Sequence, residues 1–204
     1  MIPVIVLAAG KSTRMGTPKA TLRLTEADTF LTRIIRTFQE AQVEDVVVVL
    51  GHEAEAILKS VEQSGLSPRF IVNEQYESGQ LSSMLAGLRA IDRPGVNAML
   101  MTLVDVPLVS AATVRAVLER YRTTHAPVVR PVRGALHGHP VLIDRSLFNE
   151  IRAADPRRGA KPIVRAHVSA AGDVEVDDEG AFTDIDTPED YKRVVESGTR
   201  LRAE

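Results

Sequence analysis

Short apolar runs alternate along this chain with longer stretches in which apolar residues recur every three or four positions. The runs at residues 3–8, 46–50 and 98–104 are almost free of polar side chains, which is typical of strands covered on both faces. Residues 29–41 instead place apolar side chains at helical spacing. This alternation predicts an α/β fold with a mostly parallel sheet and helices on both of its faces.

Weaker patterns complete the predicted fold. Further helices are expected at residues 53–64, 80–91, 111–122, 146–153 and 160–167, and further strands at 69–73, 128–132, 140–143 and 174–177. Ser110 is a typical helix N-cap, and Thr187-Pro188 is a typical start for a last helix. The chain has no internal repeat, low-complexity segment or linker long enough to divide it. We therefore expect one domain over residues 1–197 and a C-terminal tail over 198–204.

The loop after the first strand has the most informative sequence. Residues 7–19 read Leu-Ala-Ala-Gly-Lys-Ser-Thr-Arg-Met-Gly-Thr-Pro-Lys. Gly10 and Gly16 allow a ligand to approach the backbone closely, while Lys11, Arg14 and Lys19 add positive charge. Free N–H groups and three cations suit a polyphosphate, and the alternative is a solvated basic turn. We interpret this segment as a phosphate loop.

The spacing of the glycines excludes two common phosphate motifs. A Walker A loop needs a glycine five residues before Gly10, where Ile5 lies within the strand. A dinucleotide fingerprint needs a glycine at the position of Ser12, and Gly16 lies six residues after Gly10. The loop is therefore expected to bind phosphate by a different arrangement.

Composition and charge narrow the classes of function further. The net charge of −2 and the pI of about 6.2 argue against a broad surface for nucleic acid or for an anionic membrane. The chain has no cysteine, which excludes disulfides, thiolate metal sites and cysteine nucleophiles. The lack of cysteine and of a charged leader before the first apolar run fits a cytoplasmic protein. We expect neither nucleic acid nor a membrane as a partner.

Two aspartates are candidates for metal binding beside the phosphate loop. Asp105 follows the strand at residues 98–104, and the first and fourth parallel strands can be neighbours where α/β sheets bind ligands. Mg²⁺ prefers hard oxygen ligands and takes one or two carboxylates together with phosphate oxygens. Asp186, in the acidic segment at residues 184–190, is the second candidate. The alternatives are a turn closed by Asp105 and a favourable position of Asp186 near a helix N-terminus.

The phosphate loop closely resembles the N-terminal signature of the nucleotidyltransferases that activate molybdenum cofactor. That signature reads Leu-Ala-(Ala/Gly)-Gly, three variable residues, Arg-Met-Gly, two variable residues and Lys. The matching residues here are Leu7, Ala8, Ala9, Gly10, Arg14, Met15, Gly16 and Lys19. The Ala-Ala-Gly form is similar to the cytidylyltransferase branch, because the guanylyltransferase branch usually has two glycines. The resemblance implies a single-domain, three-layer α/β/α Rossmann-like fold of the nucleotide-diphospho-sugar transferase type.

The resemblance also implies roles for individual residues. The expected nucleotide-binding residues are Leu7, Ala8, Ala9, Gly10, Lys11, Gly16, Ser82 and Ser83. The expected catalytic residues are Arg14, Lys19 and Asp105, and the expected Mg²⁺ ligands are Asp105 and Asp186. Gly138 and His139 match the branch in which their loop borders the acceptor site. Helix capping by the two serines and a structural hydrogen bond by His139 are the alternatives.

The implied reaction is Mg²⁺-dependent nucleotidyl transfer. The phosphate of an acceptor such as molybdopterin would attack the α-phosphorus of a nucleoside triphosphate, CTP being preferred, and pyrophosphate would leave. The same resemblance implies transient contact with molybdoenzyme maturation proteins. Three alternatives stay open: GMP transfer to molybdenum cofactor, transfer to a sugar phosphate or phosphocholine, and an oxidoreductase or cofactor-delivery protein on the same fold.

Overall fold

The structure is a computed structural model that describes residues 1–197, so the expected tail at 198–204 lies outside the described residues. The strands are β1 (Val4–Ala8), β2 (Val46–Leu50), β3 (Arg69–Val72), β4 (Ala98–Leu103), β5 (Val128–Arg133), β6 (Leu136–His137), β7 (Val141–Asp144) and β8 (Asp173–Glu175). The α-helices are α1 (Phe30–Glu40), α2 (Ala54–Glu62), α3 (Gln80–Ile91), α4 (Ala111–Thr124), α5 (Phe148–Arg152), α6 (Lys161–His167) and α7 (Pro188–Ser197). Short 3₁₀ turns lie at Lys19–Thr21, Tyr76–Ser78, Arg145–Leu147 and Glu179–Phe182.

The strands form one sheet in the order β3-β2-β1-β4-β7-β5-β6, with β8 paired to β5. The first four strands are parallel, and β1 lies between β2 and β4. β7 runs antiparallel to both β4 and β5, so the direction of the sheet reverses there. The expectation of an α/β fold with a mostly parallel sheet is confirmed. The first and fourth parallel strands are neighbours, as expected.

Helices cover both faces of the sheet and bury two separate apolar clusters. One face packs against α1, α2 and α4 through residues such as Val6 and Ile35. The other face packs against α3 and α5 through residues such as Ile5 and Leu88. Alternate residues of β1 therefore enter opposite clusters, because successive side chains of a strand point to opposite faces. This two-sided burial explains the continuous apolar runs in the sequence.

Capping residues set the starts of the helices that position the site. Thr29 and Thr32 form a capping box at the start of α1, in which each side chain accepts the N–H of the other residue. Ser110 caps α4 as predicted, since its Oγ accepts the N–H of Thr113 at 3.2 Å. Helix α4 thereby begins at the predicted residue, and α1 begins one residue after the predicted start at 29.

The structure differs from the predicted elements mainly after α4. Residues 136–137, expected in a loop, form β6, which closes a hairpin with the end of β5. The strands expected at 174–177 and 140–143 are observed as β8 and β7, each shifted by one residue or more. Apolar runs this short do not fix a strand boundary or a strand direction. Within residues 1–197, no helix is both long and apolar enough to cross a membrane.

Candidate active site

A cavity of about 330 Å³ opens at the carboxyl ends of β1 and β4. Its wall is formed by the phosphate loop, the start of α3, and the segments that follow β4 and precede α7. The predicted site residues in this wall are Leu7, Ala8, Ala9, Gly10, Arg14, Lys19, Ser83, Asp105 and Asp186. The fold therefore brings the phosphate loop and both candidate metal ligands to the edge where open α/β sheets bind ligands.

Hydrogen bonds around Ser12 fold the phosphate loop. The N–H groups of Met15 and Gly16 donate to the Ser12 carbonyl at 2.8 and 3.2 Å. The Oγ of Ser12 accepts the N–H of Lys19 at 3.1 Å, which joins the middle of the loop to its end. Gly16 has a φ of +67°, a conformation that glycine adopts without steric cost. Gly16 thus shapes the loop from outside the cavity wall.

Lys19 lies between the two candidate metal ligands. Its Nζ is 2.5 Å from Asp186 Oδ1 and 3.2 Å from Asp105 Oδ2. Only 10% of the Lys19 side chain is exposed, so water and salt screen these ion pairs weakly. The Nη2 of Arg14 lies 3.2 Å from Asp186 Oδ2, but the Arg14 side chain is 66% exposed. The hydrogen bond from Lys19 lowers the pKa of the Asp186 carboxyl, so the site contains an ionised carboxylate near neutral pH.

Asp105 has one oxygen atom that is suited to a cation. Its Oδ1 is buried and accepts no hydrogen bond from any residue in the described part of the chain. Burial of such an oxygen is costly, and a hard divalent cation would offset the cost. Within residues 1–197, no group of three His, Cys, Asp or Glu side chains is placed to hold a metal ion. The two aspartates therefore fit Mg²⁺ only together with the phosphate oxygens of a nucleotide.

Ser82 and Ser83 have different roles. The Nδ2 of Asn73 donates to the Oγ of Ser82 at 2.8 Å and to the Oγ of Ser83 at 3.0 Å. The Ser82 hydroxyl also lies 2.8 Å from the Gly79 carbonyl, which is a contact within the turn. Ser83 lines the cavity, whereas Ser82 is engaged in the structure of the turn before α3. Neither serine caps α3, whose N-cap is Gly79, and nucleotide contact stays a prediction for both serines.

Gly138 and His139 connect the loop before β7 to the 3₁₀ turn at Glu179–Phe182. A Cβ atom on Gly138 would lie 2.3 Å from the Ala181 carbonyl oxygen, so this close contact requires glycine. The N–H of His139 donates to the same carbonyl at 2.8 Å, and Nδ1 lies 3.4 Å from the Met101 carbonyl oxygen. Burial lowers the pKa of the His139 ring. Both residues lie outside the cavity wall, and their contact with an acceptor stays a prediction.

Lys11 also lies outside the cavity wall. It forms an ion pair with Glu77 in the turn at Tyr76–Ser78, and the two side chains are 47% and 63% exposed. Their hydrogen bond raises the pKa of Lys11 and lowers the pKa of Glu77. The pair joins the phosphate loop to the turn that precedes α3.

Three residues near the start of α3 belong to the site but are missing from the sequence prediction. Tyr76 and Gln80 line the cavity, and Asn73 holds the serine pair at the start of α3. An asparagine at the end of a strand and a tyrosine in a polar turn are ordinary local features. Their place in the site depends on how α3 packs against β1 and β2, which the local sequence does not encode.

The strand order, the phosphate loop after β1 and the aspartate after β4 define a Rossmann-like nucleotidyltransferase. The chain belongs to the MobA-like NTP transferase family, whose domain matches residues 4–171. The resemblance found in the phosphate loop is thereby confirmed at the level of the family.

Known relatives show what this chain is similar to. It is 30% identical over 200 residues to the nicotine blue oxidoreductase of Paenarthrobacter nicotinovorans, which covers 94% of this chain and 95% of that protein. It is 33% identical over 129 residues to a probable molybdenum cofactor guanylyltransferase of Opitutus terrae, with 63% and 60% of the two chains covered.

Solved structures of one further protein share the fold. Rv0371c of Mycobacterium tuberculosis H37Rv aligns with a TM-score of 0.79 and 28% identity over 96% of this chain and 97% of that chain. A complex of Rv0371c with manganese aligns with a TM-score of 0.72 and 24% identity over 96% and 98% of the two chains.

Proposed function

We propose that this nucleotidyltransferase transfers CMP from CTP to the phosphate of molybdopterin, with Mg²⁺ bound and pyrophosphate released. The observation that carries the proposal is the position of Lys19 between Asp105 and Asp186, at the end of the phosphate loop. One buried cation and two carboxylates suit the metal-bound phosphates of a nucleotide. Nucleotidyl transfer consists largely of positioning and of charge neutralisation, which such a site provides.

The side chains of the site divide this work between them. Arg14 and Lys19 would neutralise the charge that develops on the α-phosphate and on the leaving pyrophosphate. Asp105 and Asp186 would hold Mg²⁺, which when bound supplies Lewis acidity to the phosphate oxygens. An oxygen of the acceptor phosphate forms a bond to the α-phosphorus, and the bond from that phosphorus to the pyrophosphate oxygen breaks. The attacking phosphate is already anionic, so the reaction needs no general base.

The choice of CTP over GTP rests on Ala9. This residue lines the cavity and is only 6% exposed, so its methyl group is in a confined place. The guanylyltransferases that the loop resembles usually have glycine there, and a purine needs more room than a pyrimidine. The relative named as a molybdenum cofactor guanylyltransferase keeps GMP transfer as an alternative. The same name favours molybdopterin over a sugar phosphate or phosphocholine as the acceptor.

An oxidoreductase is the second candidate, and one comparison favours it. The relative that matches 94% of this chain is named nicotine blue oxidoreductase. The site argues for transfer, because hydride transfer needs neither Lys19 nor Asp105. The phosphate loop also lacks the dinucleotide fingerprint, since Ser12 occupies the position of its second glycine.

One set of assays separates these candidates. Pyrophosphate release is measured with CTP, GTP, UTP or ATP, with Mg²⁺, and with molybdopterin, sugar phosphates or phosphocholine as acceptors. Oxidation of NADH and NADPH by a dye is measured in parallel. CTP with molybdopterin should give the fastest release, and the Asp105→Asn protein controls for contaminating activity. Faster release with another base or acceptor would select that alternative. Dye reduction without pyrophosphate release would overturn the transferase proposal.

A further inference from the structure

Tyr76 is the only aromatic residue in the cavity wall among the residues that the structure describes. It lies in the 3₁₀ turn between β3 and α3 and is half-buried. By contrast, Phe30, Phe38 and Phe148 are almost completely buried in the core. The Tyr76 ring therefore adds little to the core, and part of its surface is available to a ligand in the cavity.

Gly51, directly after β2, leaves room for the Tyr76 side chain. A Cβ atom on residue 51 would lie 2.6 Å from Tyr76 Cγ and 2.7 Å from Tyr76 Cβ, so any other residue would displace the tyrosine. The Tyr76 hydroxyl lies 3.5 Å from His52 Nδ1, and the two ring centroids are 6.2 Å apart. The ring is therefore held against the backbone at the carboxyl end of β2.

The turn that carries Tyr76 is anchored on both sides. The Oδ1 of Asn73 accepts the N–H of Gln75 at 3.1 Å, and its Nδ2 donates to the serines at the start of α3. The Ser82 hydroxyl lies 2.9 Å from the Gln75 carbonyl oxygen. A ring on an anchored turn loses little conformational freedom when it contacts a ligand, so it is suited to a binding surface.

We propose that the nucleobase of the bound triphosphate stacks on the Tyr76 ring. The inference rests on the proposed function, since it requires a nucleotide in the cavity. Tyr76 packs on Gly51 at the end of β2, Asp105 follows β4, and β1 with its phosphate loop lies between these two strands. The distance from β2 to β4 is two strand spacings, about 10 Å. This distance suits a nucleotide whose base lies at Tyr76 and whose metal-bound phosphates lie at Asp105.

Stacking on Tyr76 contributes affinity without selecting the base. Every nucleobase has a π-face, so stacking is tolerant of sequence. The ring therefore strengthens binding of all four triphosphates, and Ala9 keeps its role in the choice between CTP and GTP. Substitutions can therefore separate the affinity for the nucleotide, which Tyr76 provides, from the choice of base, which Ala9 provides.

The experiment compares CTP with inorganic triphosphate, which has a phosphate chain but no base. Titration calorimetry with Mg²⁺ and without acceptor measures both dissociation constants. Tyr76→Ala removes the aromatic face. If the alanine variant does not fold, Tyr76→Leu removes the aromatic face and keeps an apolar contact with Gly51. Both variants should bind CTP about 10- to 100-fold more weakly than wild type, with triphosphate binding unchanged. Tyr76→Phe, which keeps the face, should restore CTP binding.

The outcomes distinguish this inference from the function on which it rests. If the leucine variant loses CTP and triphosphate binding equally, Tyr76 only supports the fold of the turn, and the inference is overturned. Unchanged CTP binding in that variant overturns it as well. In both cases the wild type still binds nucleotide, so the proposed function stands. If wild type binds neither CTP, GTP nor triphosphate, the proposed function and the inference both fail.

Discussion

Lys19 contacts Asp105 through one carboxylate oxygen only: Nζ lies 3.2 Å from Oδ2, while Oδ1 is buried and accepts no hydrogen bond within residues 1–197. A buried acceptor without a partner costs about 1–3 kcal/mol. The lysine therefore neutralises the charge of Asp105 but does not satisfy both of its oxygens. A divalent cation at Oδ1 would complete the contacts of the Asp105 carboxylate that Lys19 leaves unsatisfied.

Asp105→Ala should abolish turnover while the protein stays folded. The residue lies after the end of β4, so its side chain contributes little to core packing, and its loss should act through metal binding. Pyrophosphate release and thermal unfolding are measured with and without Mg²⁺. We expect Mg²⁺ to stabilise the wild type in the presence of CTP and to have no such effect on the variant. Near-normal turnover of Asp105→Ala would remove this residue from the metal site.

Arg14→Ala and Lys19→Ala should each lower turnover by roughly 10²–10³-fold, the effect of losing one preorganised charge-stabilising group. Their effects on stability should differ. Arg14 is 66% exposed, and exposed ion pairs contribute little, so its variant should unfold like wild type. Lys19 is almost buried between two carboxylates, so its variant should lose roughly 1–3 kcal/mol of unfolding free energy.

The contrast between these two variants is measured by chemical denaturation beside the kinetic assay. Mg²⁺ together with CTP should restore part of the stability of Lys19→Ala, because the nucleotide-bound metal would lie between the carboxylates of Asp105 and Asp186. If Lys19→Ala is as stable as wild type, the ion pairs around this lysine are weaker than their geometry indicates. If the loss of activity merely parallels the loss of stability in either variant, the role of that residue is structural.

Much of the fold follows from local sequence patterns, but the assembly of the site does not. The run Val46–Leu50 indicates a strand covered on both faces, and Ser110 marks the start of α4, because burial and capping leave direct traces in the sequence. The antiparallel direction of β7 leaves no such trace, since alternation of side chains is the same in both directions. The contact of Tyr76 with Gly51 joins two turns that only the packed sheet brings together.

The same distinction applies to individual site residues. Lys19 and Asp105 could be predicted because their residue types, beside a glycine loop and a strand end, match the chemistry of a metal-bound phosphate. Lys11 belongs to the same charged loop, but its partner Glu77 becomes apparent only in the folded chain. Sequence therefore indicates which groups the site contains, and the tertiary contacts decide which of them reach the cavity.

Glu77→Gln should lower the KM for the nucleotide and leave kcat unchanged. The substitution frees Lys11 from its ion pair, so its ammonium group becomes available to the phosphate chain. Both side chains are exposed, and the effect should therefore decline as ionic strength rises. Steady-state kinetics at two salt concentrations measure this change. The control compares Lys11→Gln with the double variant that also carries Glu77→Gln. Once the lysine is absent, Glu77→Gln should have no effect on the KM. A KM that rises in Glu77→Gln contradicts the prediction.

Ala9→Gly should narrow the preference for CTP over GTP. In the wild type we expect a preference of roughly 10–200-fold in kcat/KM, because a clash of one methyl group with a purine costs on the order of 1–3 kcal/mol. Paired kinetics of both proteins with both nucleotides measure the change. Equal use of the two nucleotides by the wild type, or a preference for GTP, would refute the cytidylyl proposal and leave the nucleotidyltransferase family assignment unaffected.

Asp190→Asn should weaken the anchor of the segment that carries Asp186. The Oδ2 of Asp190 accepts the N–H groups of Asp186 and Thr187 at 3.2 and 2.9 Å, together with the Thr187 hydroxyl at 2.8 Å. These hydrogen bonds lower the pKa of Asp190 from 3.8 to about 2, and the hydrogen bond from the Thr187 hydroxyl has the largest effect. Because the pKa of Asp190 is lower in the folded protein than in the unfolded chain, its ionised carboxylate stabilises the fold at pH values above the ordinary pKa. This stabilisation is lost as the pH falls through the pKa of the folded protein.

The pH dependence of unfolding tests that anchor. The wild type should be more stable than Asp190→Asn at neutral pH, and the difference should shrink as the pH falls from 3.8 towards 2. Chemical denaturation at a series of pH values measures it. A difference that is constant over this range would show that the charge of Asp190 contributes nothing to the anchor.

The sheet divides most of the proposed donor site, on the parallel strands, from the proposed acceptor loop beside the antiparallel strand β7. Apart from Asp186, the residues that we assign to the nucleotide and its metal lie at or before Asp105, on the parallel strands, on α3 and in the loops between them. The loop of His139 and the segment of Asp186 come after β4 in the chain, and the ion pairs of Asp186 with Lys19 and Arg14 join its segment to the phosphate loop. Changes confined to the His139 loop would therefore alter the proposed acceptor contacts and keep the donor site, so long as Asp186 still reaches Lys19. One scaffold can in this way give rise to enzymes with a shared donor and unrelated products.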